Sequence, residues 1–140
     1  MKKTVISSEN APKAIGPYSQ AICVNGIVVT SGALPIDPAV GKIVATDIKG
    51  QTEQALKNVQ AVLAAADLTL DNVIKTTVFL ADIADFAAMN EVYATFFTKD
   101  CPARSAFQVA ALPMGAKVEI ETLCARGEIP TADSSCGCPV

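Results

Sequence analysis

CPARSAFQVAALPMGAKVEIETLCARG, Cys101 to Gly127, is the most informative run in the chain. SAFQVA and KVEIETLCA both alternate at period two, and Pro113 and Gly115 interrupt the pattern between them, which predicts two strands joined by the turn LPMGA. In the second strand Lys117, Glu119 and Glu121 share one face while Val118 and Ile120 point the other way, so two carboxylates stand side by side on a pleated surface. Arg104 opens the first strand. Arginine is scarce, since the only other one is Arg126 and lysine supplies the remaining positive charge. A guanidinium grips a carboxylate through two parallel hydrogen bonds that an ammonium cannot copy. Two readings of Arg104 stand: a structural pair with a glutamate across neighbouring strands, or a clamp for a substrate carboxylate.

Upstream of this run the patterns are those of a mixed fold. A short apolar segment near Thr4 to Ser7 is followed by SENAPKAIGPYSQA, whose prolines and glycine predict an irregular loop that fixes Tyr18. Tyr18 reads either as a packed residue with its hydroxyl on a backbone carbonyl or as a site residue. AICV and IVVTSG flank Asn25-Gly26, the preferred two-residue type I′ hairpin turn. The second of these strands ends in Thr30-Ser31-Gly32, where a ligand could approach backbone N–H groups or the strand could simply stop. Turns follow at Asp37-Pro38 and Gly41.

From Thr46 to about Ala66 the period becomes helical, with Ile48, Ala55, Leu56, Val59, Val62, Leu63 and Ala66 on one stripe. Glu53, Gln54, Lys57, Asn58 and Gln60 lie largely off it, and Thr46 or Asp47 is available as N-cap. VIKTTVFLA reads as a strand. A second helix, capped by Asp82 or Asp85, presents Phe86, Met89, Val92, Tyr93 and Phe96 as an apolar, core-facing side and ends near Lys99. The order of elements gives an α+β domain with two helices on one face of a mixed sheet, placed at residues 1–128, with a loosely ordered tail at 129–140. The other face needs a cover.

Composition bounds the function. The 140 residues are 51% hydrophobic and 18% charged, apolar enough to predict that another copy of the chain covers the open sheet face. A net charge of −3, an isoelectric point near 4.8 and scattered lysines argue against nucleic acid as a partner. No apolar run reaches the roughly 18 residues that span a bilayer and no signal-peptide core is present, so a soluble, cytoplasmic protein without membrane contact is expected. The sequence contains no histidine, which removes Ser-His-Asp and Cys-His arrangements and histidine-ligated zinc. The five cysteines read as reduced thiols, Cys23 and Cys124 as small core residues, and the Cys136/Cys138 pair as a weak metal or redox signal in the tail.

With these segments in place, the chain resembles the RidA (YjgF-type) family of imine/enamine deaminases from about Ile6 to Arg126. The resemblance rests on APKAIGPYSQA, VVTSGALPIDPAVGKIV, QALKNVQAVLAAADLTLDNVIKTTVFLADIADFAAMNEVYATFF and PARSAFQVAALPMGAKVEIETLCA, in order and with few gaps. It implies a chorismate-mutase-like fold assembled as a homotrimer with ligand clefts between subunits. It also implies Arg104 as the carboxylate clamp, Glu119 as a holder of the attacking water, Tyr18, Ser31 and Asn90 as cleft residues, and Gly32 as a backbone N–H donor. Ala106 stands where the archetypal bacterial member has cysteine, and only its carbonyl is required. Ala33 replaces the family's usual glutamine. The implied reaction hydrolyses 2-iminopropanoate and 2-iminobutanoate, released by pyridoxal-phosphate dehydratases, to 2-oxo acids and ammonia, with no metal or organic cofactor. A non-catalytic trimer that binds 2-oxo acids, as a sensor or chaperone-like partner, would use the same Arg104 without needing Glu119. An RNA-directed role proposed for some relatives sits poorly with the acidic charge.

Overall fold

Asn25 and Gly26 take φ of 49° and 78° in the computed structural model, which describes residues 1–127. Two consecutive positive φ values define the type I′ turn, whose twist matches the flanking strands. It joins β2 (Ala21–Val24) to β3 (Ile27–Thr30), with Val24 opposite Ile27. β1 (Thr4–Ile6) pairs with β2 at one edge of the sheet. β4 (Ile36–Asp37) and β5 (Lys42–Ile43) form a small separate hairpin at the anticipated Asp37-Pro38 and Gly41 turns.

α1 (Ile48–Ala64) is capped by Asp47, whose carboxylate accepts the Gly50 N–H at 3.3 Å. Its apolar stripe is buried as expected, with Ala55, Leu56 and Leu63 fully enclosed; truncating such a leucine to alanine costs about 2–5 kcal/mol. Asn58 departs from the expectation. It is 2% exposed and donates through Nδ2 to the carbonyls of Leu34 and Ile36, which ties the segment after β3 to the helix. β6 (Val73–Leu80) leads through a short turn capped by Asp82 into α2 (Phe86–Phe96), which stops before Lys99; Asp85 is its N-cap residue but makes no side-chain capping bond. β7 (Ala103–Gln108) and β8 (Val118–Ala125) complete the chain, joined by a turn at Pro113–Gly115.

The sheet order is β1-β2-β3-β8-β6-β7. The two strands of the Cys101–Gly127 run are therefore not neighbours, because β6 lies between them, parallel to β7 and antiparallel to β8. β6-α2-β7 is a strand–helix–strand unit, and such a crossover returns the chain parallel to where it began. The cross-strand Arg104–glutamate pair is accordingly not formed. Val118, Ile120, Thr122 and Cys124 alternate inward against the helices, and Glu119, Glu121 and Leu123 point to the opposite face. That open face also carries Val5, Ile27, Val29 and Phe107, with Val29 49% and Phe107 44% exposed. The mixed sheet with two helices on one side agrees with the α+β reading. The tail at 129–140, with Cys136 and Cys138, lies outside the described residues.

Candidate active site

Two groups of the anticipated residues form, and the sheet holds Arg104 of the first and Glu119 of the second on opposite faces. The first is built on β7 and α2. Arg104 lies in register with Thr76 of β6, whose side chain is wholly buried beneath the helices, so its guanidinium also turns to the helix-covered side. There Nη1 donates to Asn90 Oδ1 at 2.7 Å, and Cζ lies 4.7 Å from the centre of the Tyr93 ring and 5.4 Å from that of Phe86. Asn90 thus contacts the guanidinium directly and leaves the other donors of the fork available. Ala106 follows on the same face of β7, opposite Val78.

The second group is built where β3 ends. Ala33 exchanges backbone hydrogen bonds with Ile120 of β8, N to O at 2.7 Å and O from N at 3.1 Å, which lays Gly32 against Glu119. A Cβ at position 32 would sit 2.0 Å from Glu119 Oε1, so the carboxylate occupies the space that any side chain there would need. Glu119 is partly buried, and this burial, with the Glu121 charge as the lesser contribution, raises its pKa above the ordinary carboxylate value. The carboxylate consequently holds a proton more readily than a solvated one would.

Ser31 fixes the Tyr18 loop. Its hydroxyl donates to the Ser19 carbonyl at 2.6 Å and its N–H to the Gln20 carbonyl at 2.9 Å. Gln20, buried, braces the loop from within by donating to the carbonyls of Ser8 and Pro12 and accepting from the Ser8 N–H. Tyr18 is 50% exposed, and its hydroxyl accepts the Ile15 N–H at 3.3 Å instead of donating to a carbonyl, which leaves its own proton to give. Tyr18, Ser31 and Gly32 line a mainly apolar cavity of about 80 Å³ together with Ile15, Leu34 and Val62.

Because β6 separates the strands of Arg104 and Glu119 and the two side chains leave the sheet in opposite directions, one protomer does not bring them together. Phe86 and Tyr93 were legible only as core residues, yet both meet the Arg104 guanidinium; the signal was their spacing around Asn90, at i, i+4 and i+7. Of the cysteines, Cys124 is buried, with a thiol pKa pushed up by burial, Cys23 is half-buried, and Cys101 is exposed near the Phe97 carbonyl. Among the described residues, no cluster of three or more acidic or thiol side chains is placed to hold a metal ion, and no helix is long and apolar enough to cross a membrane.

The model of the family described as endoribonuclease L-PSP matches residues 8–126. A protein of Arabidopsis thaliana named reactive intermediate deaminase A, chloroplastic, is 51% identical over 123 residues, which cover 88% of this chain and 66% of that protein. Human 2-iminobutanoate/2-iminopropanoate deaminase is 47% identical over 130 residues, 93% of this chain and 95% of that one. A Yersinia pestis protein described as one of unknown function in the conserved Rid family superposes with a TM-score of 0.85 at 51% identity, covering 89% of this chain and 99% of the other.

Proposed function

The chain belongs to the family described as endoribonuclease L-PSP, which includes the Rid and reactive intermediate deaminase proteins, and we propose that it hydrolyses reactive 2-imino acids, 2-iminopropanoate and 2-iminobutanoate, to 2-oxo acids and ammonia. The observation that carries the reading is the pairing of two unlike devices. One is a guanidinium fork held by Asn90 with donors to spare; the other is a partly buried carboxylate, packed on Gly32, with raised proton affinity.

The reaction asks little of a protein: orient the substrate carboxylate, keep the imine protonated, and present one water to its carbon. Arg104 takes the carboxylate. Glu119, with the Ala106 carbonyl, holds the water and accepts its proton as the new C–O bond forms. The resulting carbinolamine takes that proton from Glu119 on nitrogen and expels ammonia while its hydroxyl gives up its own proton to the freed Glu119 carboxylate and becomes the oxo group. Tyr18 is the donor for the leaving nitrogen, and Gly32 and Ser31 shape the wall beside it. These residues supply the orientation, water activation and proton transfer that the net hydration and loss of ammonia require.

The separation of Arg104 and Glu119 across the sheet supports a cleft shared between protomers, and the apolar open face supports a homotrimer that makes it. The test supplies the imine in situ from a pyridoxal-phosphate dehydratase and follows ammonia, alongside light scattering. Faster release by a trimer is expected, while an RNA incubated in parallel stays intact. Unchanged release with pyruvate still bound would favour the sensor reading, and an active monomer would overturn the shared cleft.

A further inference from the structure

α2 presents a single stripe to Arg104. Phe86, Asn90 and Tyr93 stand three or four residues apart and so share one side of the helix, and all three meet the guanidinium. Tyr93 is itself fixed from behind. Its hydroxyl lies 2.8 Å from that of Thr76, which is fully buried on β6, and its ring packs on Phe97 at 4.6 Å. Only 6% of Tyr93 is exposed, and burial raises its phenol pKa, so the ring stays neutral under the cation at ordinary pH.

We propose that Tyr93, anchored by Thr76, is a positioning residue that holds the Arg104 guanidinium in one plane, so that the edge not bonded to Asn90 is presented ready-made to a planar carboxylate. The inference rests on the reading of Arg104 as the carboxylate clamp. An arginine on a flexible stem gives up rotamer freedom when it grips a ligand, whereas one already held by a ring, a second ring and an amide has given it up during folding. The same rigidity sets a preference. A fork held in one plane takes both oxygens of a flat carboxylate within that plane; a tetrahedral phosphonate can also be gripped through two oxygens, but its third lies out of the plane, where a fixed guanidinium cannot turn to favour it.

The experiment measures dissociation constants of pyruvate and of acetylphosphonate, its tetrahedral counterpart, for the wild-type protein and for Tyr93→Leu, Tyr93→Phe and Arg104→Ala. Tyr93→Leu is expected to weaken pyruvate about tenfold, to raise KM more than it lowers kcat, and to narrow the preference for pyruvate over acetylphosphonate. Tyr93→Phe keeps the ring and is expected to stay within about threefold. A folded Tyr93→Leu that binds pyruvate as the wild type does, or a Tyr93→Phe as impaired as the leucine variant, overturns the role of the ring. Wild-type pyruvate binding by Arg104→Ala would instead sink the clamp reading. Should Tyr93→Leu not fold, NMR of the wild type decides. A ring-shifted Arg104 Nε–H with slow guanidinium rotation supports the cradle, and an unshifted, freely rotating one refutes it.

Discussion

Gly32→Ala tests the site through a single methyl group. The backbone at Gly32 lies outside the left-handed region, so alanine meets no strain in φ there, and the three atoms nearest its Cβ all belong to Glu119, at 2.0 Å for Oε1, 2.8 Å for Cδ and 3.0 Å for Cγ. Bringing the nearest of these out to an ordinary contact of about 3.4 Å moves the carboxylate by about 1.4 Å. The far end of a glutamate yields by rotating, so the fold should survive with a change in stability of about 1 kcal/mol or less. Catalysis should not. A displacement of about 1 Å in a reacting group can cost a hundredfold, so kcat/KM should fall by about two orders of magnitude, or about 2.7 kcal/mol, in the dehydratase-coupled ammonia assay. The decisive control is a double-mutant cycle with Glu119→Ala. With no side chain left to displace, Gly32→Ala should change the rate only a few-fold further. A Gly32→Ala enzyme with wild-type kcat/KM, or a hundredfold loss that persists in the Glu119→Ala background, would refute the argument that Gly32 acts by making room for the carboxylate.

Three further outcomes are expected. Arg104→Lys should lose roughly a hundredfold in kcat/KM, about 3 kcal/mol, because an ammonium cannot reproduce the planar fork; wild-type turnover would make Arg104 structural only. Glu119→Gln should raise the melting temperature at neutral pH: a carboxylate whose pKa is raised by folding favours the native state most when protonated and loses that stability as pH rises through the folded value, so replacing it relieves a penalty that vanishes below pH 4.5. A gain in melting temperature that persists in acid would show that the effect is not electrostatic. Asn58→Leu should lower stability by about 2–5 kcal/mol in urea unfolding, since the Leu34 and Ile36 carbonyls lose their donor; a change under 1 kcal/mol would mean that water replaces the amide.

The β2–β3 hairpin and both helices could be read from the sequence because their causes are local. Asn25-Gly26 sets two positive φ values, and the Ile48 to Leu63 stripe repeats within a few residues of itself. What escaped was non-local. Period-two alternation says that residues 103–108 and 118–125 are strands but not which strand each one pairs with. Their short connection suggested neighbours, although the order strand, helix, strand over residues 73–108 already carried the signature of a parallel crossover. Asn58 was misread for a related reason. Its polarity marks it for the surface, and only the fold reveals two carbonyls of an irregular segment that need its amide. Within the site, Gly32 could be singled out as a glycine at a strand end, but the reason for it, the Glu119 carboxylate in its Cβ position, exists only after β3 and β8 have come together.

On the proposed reading, the placement of the two halves makes association part of the chemistry as well as part of the fold. Each half is built rigidly inside one protomer: Arg104 against Asn90 and Tyr93 under the helices, Glu119 against Gly32 on the bare face. Neither half alone can hold a 2-imino acid and hydrate it, since a clamp without a placed water only binds, and a carboxylate without a clamp meets its substrate in no fixed orientation. An isolated protomer therefore leaves open an apolar sheet face and, on it, a partly buried carboxylate. Covering that face with a second copy would bury Val29 and Phe107 and could bring a neighbour's Arg104 to Glu119 in the same step. On this account the low charge content of the chain and the division of its site have one origin: the sheet face left apolar for assembly is also the face from which the water-holding carboxylate projects.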